Sequence, residues 1–158
     1  MKQIPWKTYL FWGLLAEALG GLSGWLTRDG ARQYAETITL PPFSPPGIVF
    51  PIVWTVLFAL MGIGAARVWL AAPSAQRTRS LRLFFAQLGF NFFWSIFFFN
   101  LQAYGFALVW LVVLWVLILW MLLSFYRVDP LAGWMQLPYL LWVAFAGYLN
   151  LGVWILNG

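Results

Sequence analysis

Amide and indole side chains recur at helical spacing inside the most apolar stretches of this chain. One stretch carries Gln87, Asn91, Trp94 and Phe98 at positions i, i+4, i+7 and i+11, and a later one carries Tyr139, Trp142, Ala146 and Asn150 at matching spacing. Residues spaced in this way share one face of a helix. If these faces pack together beside Trp54, they enclose an aromatic cavity with a few amide groups. Such a cavity suits a flat apolar ligand with polar edges.

A structural interpretation explains the same spacing. Amide side chains in apolar helices also hold helices together through hydrogen bonds, and tryptophans also collect at membrane interfaces. The pattern by itself favours neither interpretation, so both a binding cavity and simple helix packing stay open.

Glu17 is the one carboxylate near the middle of an apolar stretch. It shares a helical face with four glycines, Gly13, Gly20, Gly21 and Gly24. A carboxylate at membrane depth is costly and is a candidate functional group. The alternative is a protonated or hydrogen-bonded structural residue. The glycines permit close helix approach, either inside the bundle or along a dimer seam.

The composition excludes several kinds of chemistry. The chain has no histidine and no cysteine, which rules out Ser-His and Cys-His catalytic pairs, disulfides and histidine-ligated metals. Its 4 acidic residues are too few for a carboxylate metal cage. We therefore expect no metal site and no resident cofactor. The formal charge of +5 comes from basic residues scattered between apolar stretches, so nucleic acid is not an expected partner.

The hydrophobicity of the chain predicts its class. It is 63% hydrophobic and 8% charged, more apolar than a soluble domain of 158 residues can bury. Apolar stretches of about 20 residues cross the bilayer as helices. The sequence therefore predicts an all-α integral membrane protein with one domain, a five-transmembrane-helix bundle. We place the spans at 7–27, 47–71, 83–101, 104–125 and 133–156.

The segments between and within these spans allow four further predictions. Residues 28–46 form an external loop long enough to cover the bundle as a lid, with a short helix capped by Asp29. The connector at 100–103 is short enough to make an antiparallel hairpin. The fourth span has no polar side chains except indoles between residues 106 and 123, so it is predicted to face lipid. Arg67 and Asp129 fall at the same boundary, where they could pair, although Arg67 could equally extend to lipid headgroups.

The basic residues predict an orientation. Five spans put the termini on opposite sides, and one side then carries seven basic residues: Lys2, Lys7, Arg67, Arg77, Arg79, Arg82 and Arg127. The other side carries only Arg28 and Arg32. Since cytoplasmic loops are enriched in Lys and Arg, the N-terminus is predicted to be cytoplasmic and the C-terminus outside.

Several motifs resemble those of the tryptophan-rich sensory protein family, the bacterial relatives of the mitochondrial translocator protein (peripheral benzodiazepine receptor). Residues 40–46 read LPPFSPP and residues 49–55 read VFPIVWT, similar to the family's proline-rich start of its second helix. Residues 86–94 read AQLGFNFFW, similar to its third helix. Residues 137–150 read LPYLLWVAFAGYLN, similar to its fifth.

The resemblance implies a function and a set of site residues. It implies a membrane receptor or translocator, often a homodimer, that binds porphyrins, haem, sterols or isoquinoline- and benzodiazepine-type compounds. By matching motif, the implied pocket under the loop between the first two spans includes Tyr34, Trp54, Asn91, Trp142 and Ala146. To these the helical spacing adds Trp94 and Gln87, and the carboxylate at membrane depth adds Glu17, as ligand-binding candidates.

Two other functions stay open. Trp54 and Trp142 match the pair that the family resemblance links to light-driven porphyrin breakdown, so they are the candidate catalytic residues of a light- and oxygen-dependent porphyrin-degrading enzyme. No conventional acid–base set accompanies them. A non-enzymatic membrane scaffold or regulator is the remaining alternative.

Overall fold

The computed structural model describes residues 4–158, and within that range the chain contains helices and no strands. Lys2, one of the basic residues used above to predict orientation, lies outside the described range. The helices are α1 (Trp6–Leu26), α2 (Arg28–Thr37), α3 (Val49–Trp69), α4 (Ala75–Ser95), α5 (Tyr104–Val128), α6 (Pro130–Trp134) and α7 (Leu137–Asn157). A single wider π-helical segment, Ile96–Asn100, extends α4.

Four segments are long and apolar enough to cross a membrane: Val49–Trp69, Ala75–Asn100, Tyr104–Val128 and Pro130–Asn157. The protein is therefore all-helical with several membrane-spanning candidates. Helix α1 is also 21 residues long, and it contains the charged residues Lys7 and Glu17.

Helix α4 begins at Ala75, whereas the hydropathy pattern predicted a span starting at residue 83. Ser74 caps its first turn, because the backbone N–H of Arg77 donates to the Ser74 Oγ at 3.0 Å. The first two turns of α4 are thus regular helix made of polar residues. A hydropathy argument misses such turns because they extend beyond the apolar part.

The segment predicted as the fifth span divides into two helices. Asp129 caps α6 by accepting a hydrogen bond from the Leu131 N–H at 3.2 Å, and Pro130 follows in the first turn, where a missing N–H costs little. Helix α7 then starts at Leu137. Of the two possibilities left open for Arg67, the structure shows the ion pair with Asp129, with Nε and Oδ2 2.6 Å apart. This pair joins the end of α3 to the junction between α5 and α6.

The loop at 28–46 contains the expected short helix, α2, but Asp29 does not cap it. The residue at the cap position is Thr27, and its hydroxyl donates to the Ser23 carbonyl at 2.8 Å instead of accepting from α2. Asp29 lies inside the first turn, where its charge is favourable to the helix dipole.

The prediction that the fourth span faces lipid is wrong for half of its surface. Helix α5 packs between α4 and α7, and residues such as Leu111, Leu114 and Ile118 are buried along one face. The opposite face, including Val109 and Trp120, is exposed. Apolar side chains pack equally well against lipid and protein, so the absence of polar residues does not distinguish the two environments.

Close backbone approach holds α1 against α3. A Cβ placed on Gly62 would lie 2.5 Å from the Cα of Gly13, and one placed on Gly20 would meet the ring of Phe58. Gly21 and Gly24 have open space at the same position. On the glycine face of α1, Gly13 and Gly20 therefore pack against α3, whereas Gly21 and Gly24 leave room for a larger side chain.

Candidate functional site

A buried hydrogen-bond network joins the predicted faces of α4 and α7. The Asn91 Nδ2 donates to the Tyr139 hydroxyl at 2.7 Å, and that hydroxyl donates to the Gln87 Oε1 at 2.7 Å. Gln87 and Tyr139 are 0% exposed and Asn91 is 6% exposed. In this conformation the two amides bind the helices to each other rather than lining an open cavity.

A second polar layer lies further along the same helices, one turn on along α4 and three turns on along α7. The Trp94 indole N–H donates to the Asn150 Oδ1 at 3.1 Å, and the Asn150 Nδ2 donates to the Tyr104 carbonyl at 2.9 Å. Trp94 also stacks on Phe98 with ring centres 4.9 Å apart. These contacts join α4, α5 and α7, the helices that form the back of the site.

The open space in this region is an apolar groove between α3 and α7 with a volume of about 630 Å³. Trp142 lies in it, edge-on to Phe50 with ring centres 5.8 Å apart. The indole N–H of Trp142 is buried and lacks a hydrogen-bond partner among residues 4–158. The remaining lining is apolar: Ile52, Val53, Val56, Leu57, Pro138, Leu141 and Phe145. An unpaired donor in an apolar wall can orient a ligand that carries an acceptor.

Trp54 lies beside this groove rather than in its lining. Its ring packs on Phe58 at 5.6 Å and edge-on to Tyr139 at 6.2 Å. Ala146 is 8% exposed and packs in the core with Tyr139. Trp54 therefore contacts the buried network behind the groove, and Ala146 belongs to the same buried core.

The loop at 28–46, called the lid from here on, contacts the bundle through two separate parts. Tyr34 of α2 packs against Phe98 at 5.4 Å and Phe99 at 5.3 Å, which fixes the first part on the α4–α5 hairpin. Burial, with a smaller effect of nearby Tyr104, raises the pKa of Tyr34 to about 12. The Tyr34 phenol thus stays neutral at ordinary pH.

The second part of the lid is attached to α7 by polar contacts. Asn157 exchanges two hydrogen bonds with the backbone of Thr39, both 2.9 Å, and the Tyr148 hydroxyl donates to the Pro42 carbonyl at 2.6 Å. Between these attached parts and α3, Phe43 is 89% exposed with a φ of 66°, a conformation that phenylalanine rarely adopts.

The structure thus brings most candidates to one side of the bundle and leaves one apart. Glu17 lies half-buried on α1, which packs on α3 and α4 and away from α7. The sequence did not identify three residues that contact the lid or line the groove: Asn157, Tyr148 and Phe145. For Asn157 the reason is clear, because its partner Thr39 lies 118 positions away and no periodic pattern links them. Within the described range no cluster of acidic side chains could hold a metal ion.

The Tyr139 network leads to a stability prediction. Tyr139→Phe removes the hydroxyl that satisfies both Asn91 and Gln87, and each buried group left unpaired costs about 1–3 kcal/mol. We expect a clear fall in the thermal denaturation midpoint of the purified protein. Tyr126→Phe is the control, because Tyr126 is exposed and should change the midpoint little. Equal midpoints for the two variants would contradict the network.

Comparison with known proteins gives a consistent assignment. The TspO/MBR family model matches residues 12–155. The translocator protein of Bos taurus is 33% identical over 153 residues, covering 95% of this chain and 90% of the relative. The tryptophan-rich protein TspO of Chlorobaculum tepidum is 38% identical over 144 residues, covering 90% and 91%. Protein CrtK of Rhodobacter capsulatus is 35% identical over 144 residues, covering 90% and 89%. With this coverage, and with its apolar helices, the chain belongs to the TspO/MBR family of integral membrane proteins.

Proposed function

We propose that this protein is a membrane receptor or translocator that binds porphyrins and other flat hydrophobic ligands between α3 and α7. The observation that carries the proposal is the apolar groove of about 630 Å³, which is lined by Trp142, a residue whose indole N–H is buried and unpaired. Pockets for small organic ligands typically measure about 300–1,000 Å³ and combine apolar walls with a few polar groups. Relatives named translocator protein support the transport part.

The chemistry of the groove suits a tetrapyrrole. Trp142 offers an aromatic surface for offset stacking, and Phe50 and Phe145 extend it on either side. The buried indole N–H can donate to a carboxylate or carbonyl at the ligand edge once the Trp142 ring turns to expose it. Because the chain has no histidine or cysteine to bind iron, metal-free porphyrin should bind at least as well as haem.

A binding experiment tests this proposal. Protoporphyrin IX titrated into the purified protein in detergent should quench tryptophan fluorescence with a saturable curve. Trp142→Phe keeps most of the stacking surface but loses the donor, so affinity should fall by roughly tenfold, the effect of about 1.4 kcal/mol. Trp120→Phe, on the exposed face of α5, should bind normally. Equal affinities for the two variants would remove the α3–α7 groove from the proposal.

The proposal includes five membrane spans, with α1 as the first. Its 21 residues give a length of about 31 Å, enough to cross the hydrocarbon core, and it packs along α3. The seven-to-two distribution of basic residues then puts the N-terminus in the cytoplasm and Gly158 outside. A C-terminal reporter that is active only outside the cytoplasm should therefore be active. A signal from a cytoplasm-only reporter instead would reverse this orientation.

A light- and oxygen-dependent porphyrin-degrading enzyme is the second candidate. One observation favours it: the easily oxidised ring of Trp54 packs edge-on to Tyr139, whose hydroxyl is hydrogen-bonded to an amide oxygen. An indole next to a hydrogen-bonded phenol can pass an electron hole from an excited ligand into the bundle. Light would excite the porphyrin and oxygen would be the terminal oxidant.

A further inference from the structure

A second apolar groove lies on another side of the bundle, between α1 and α4. It has a volume of about 270 Å³, well below that of the α3–α7 groove. Leu19 and Leu22 line it from α1, and α4 contributes Phe85, Leu88, Gly89, Phe92 and Phe93. A Cβ at Gly89 would meet nothing within 4 Å, so the glycine keeps this groove open. Its size and apolar lining suit a narrow chain rather than a tetrapyrrole.

The groove runs parallel to both helices. The Trp12 ring lies 5.8 Å from the Phe85 ring at one end, and the Ser23 hydroxyl donates to the Phe92 carbonyl at 3.0 Å at the other. Helices α1 and α4 therefore point in the same direction and leave an elongated depression between these contacts. A lipid acyl chain has the corresponding shape.

Basic side chains lie at the Trp12 end of the groove. Arg82, Phe85, Gly89 and Phe92 follow at positions i, i+3, i+7 and i+10 and so form one stripe along α4. Gly89 lies about 10 Å further along the helix axis than Arg82. Arg79, one turn before Arg82, is also exposed. These arginines stand on the polar first turns of α4, beyond its apolar part.

The charge at this end is not balanced by carboxylates. Within residues 4–158 the ion pair is that of Arg67 with Asp129, and Arg77 lies over the Trp69 ring at 4.3 Å. Arg79 and Arg82 have no such partner in the described part of the chain. Guanidinium groups bind phosphate through paired hydrogen bonds, so two exposed arginines above an apolar groove match a phospholipid.

We infer that the α1–α4 groove is a binding site for one anionic phospholipid, with an acyl chain between Leu22 and Gly89 and its phosphate on Arg82 and Arg79. The site differs from the porphyrin groove in position and in ligand class. Because the arginines and the apolar lining lie on one face of α4, a single lipid can contact both at once. Tight binding therefore requires the negative headgroup as well as the acyl chain. Lipid binding at the α1–α4 groove requires no rearrangement of the α3–α7 groove.

Lipid retention by the purified full chain tests the inference. Protein in a neutral detergent is mixed with phosphatidylglycerol or phosphatidylcholine, and the bound lipid is counted by native mass spectrometry. We expect one phosphatidylglycerol per chain and weaker retention of phosphatidylcholine. The double variant Arg79→Gln, Arg82→Gln should retain phosphatidylglycerol roughly thirtyfold more weakly, as expected for two lost basic groups near an anionic headgroup.

Two further variants separate the headgroup from the chain. Gly89→Leu fills the groove with the arginines intact and should also reduce retention, whereas Arg28→Gln, Arg32→Gln at the other end should not. Equal retention of the two lipids, or normal retention by Gly89→Leu, would overturn the inference. It would also be overturned if Gly89→Leu converted a dimer to a monomer without changing lipid retention, because a second copy would then occupy the groove.

Discussion

Gly62→Ala is expected to push α1 away from α3 and to lower the stability of the bundle clearly. The new Cβ would lie 2.5 Å from the Cα of Gly13 and 2.8 Å from the Trp12 carbonyl oxygen. These are backbone atoms of α1, so the whole helix must move. Overpacking of this kind costs about 1–3 kcal/mol or more. At roughly 2–4 °C per kcal/mol for a chain of this length, the midpoint should fall by about 2–12 °C.

Gly21→Ala is the matched control. It adds the same methyl group to the interior of α1, where a Cβ would have open space. Alanine is the better helix former by about 0.5–1 kcal/mol, so this variant should be as stable as the parent or slightly more so. Both variants are compared by thermal denaturation in the same detergent. If Gly62→Ala melted together with Gly21→Ala, the close approach of α1 to α3 would be refuted.

Replacing both Trp54 and Trp142 with phenylalanine should separate binding from photochemistry. Phenyl rings keep most of the stacking area, so binding of protoporphyrin in the dark should weaken by about 1–2 kcal/mol, roughly 5- to 30-fold. Light-driven loss of bound porphyrin should fall much further, because a phenyl ring is far harder to oxidise than an indole. The measurement is the decay of porphyrin absorbance under illumination in air, at ligand occupancies matched between the proteins.

The control for this experiment changes two other tryptophans. Trp25 and Trp120 are 60% and 54% exposed and lie outside the α3–α7 groove. Trp25→Phe, Trp120→Phe should leave both binding and photochemistry unchanged. Parent-like porphyrin decay in the Trp54, Trp142 double variant would eliminate the enzymatic candidate, and the receptor proposal would stand on the dark binding alone.

Helical spacing was enough to predict which faces of α4 and α7 meet. It correctly grouped Gln87 and Asn91 on one side and Tyr139 and Asn150 on the other, since a 3.6-residue period defines a face. It could not decide whether an amide on that face meets a ligand or another helix. In the structure Asn91 bonds to Tyr139 and Asn150 bonds to Trp94, so the amides are paired within the protein.

Helical periodicity could not predict where α4 begins or how the lid contacts α7. Polar helical turns, such as the start of α4 at Ala75, look like loop when only hydropathy is read. The lid contact between Thr39 and Asn157 depends on how α7 ends relative to the loop, which is a property of the folded chain. Charge complementarity identified Arg67 and Asp129 as possible partners but could not decide between a pair and contact with headgroups, and the structure shows the pair.

The position of the polar contacts along α3 affects ligand selectivity. Within residues 4–158, the side chains that bond α3 to its neighbours meet its second half, at Leu60, Met61 and Arg67. The first half, which borders the groove, meets α7 through rings such as Phe50 against Trp142. Apolar ring contacts have weak directional preference, so the part of α3 before Leu60 can shift outward without breaking one of these hydrogen bonds. If the groove binds flat ligands as proposed, it should therefore accept ligands of unequal thickness at similar energetic cost and discriminate little between them.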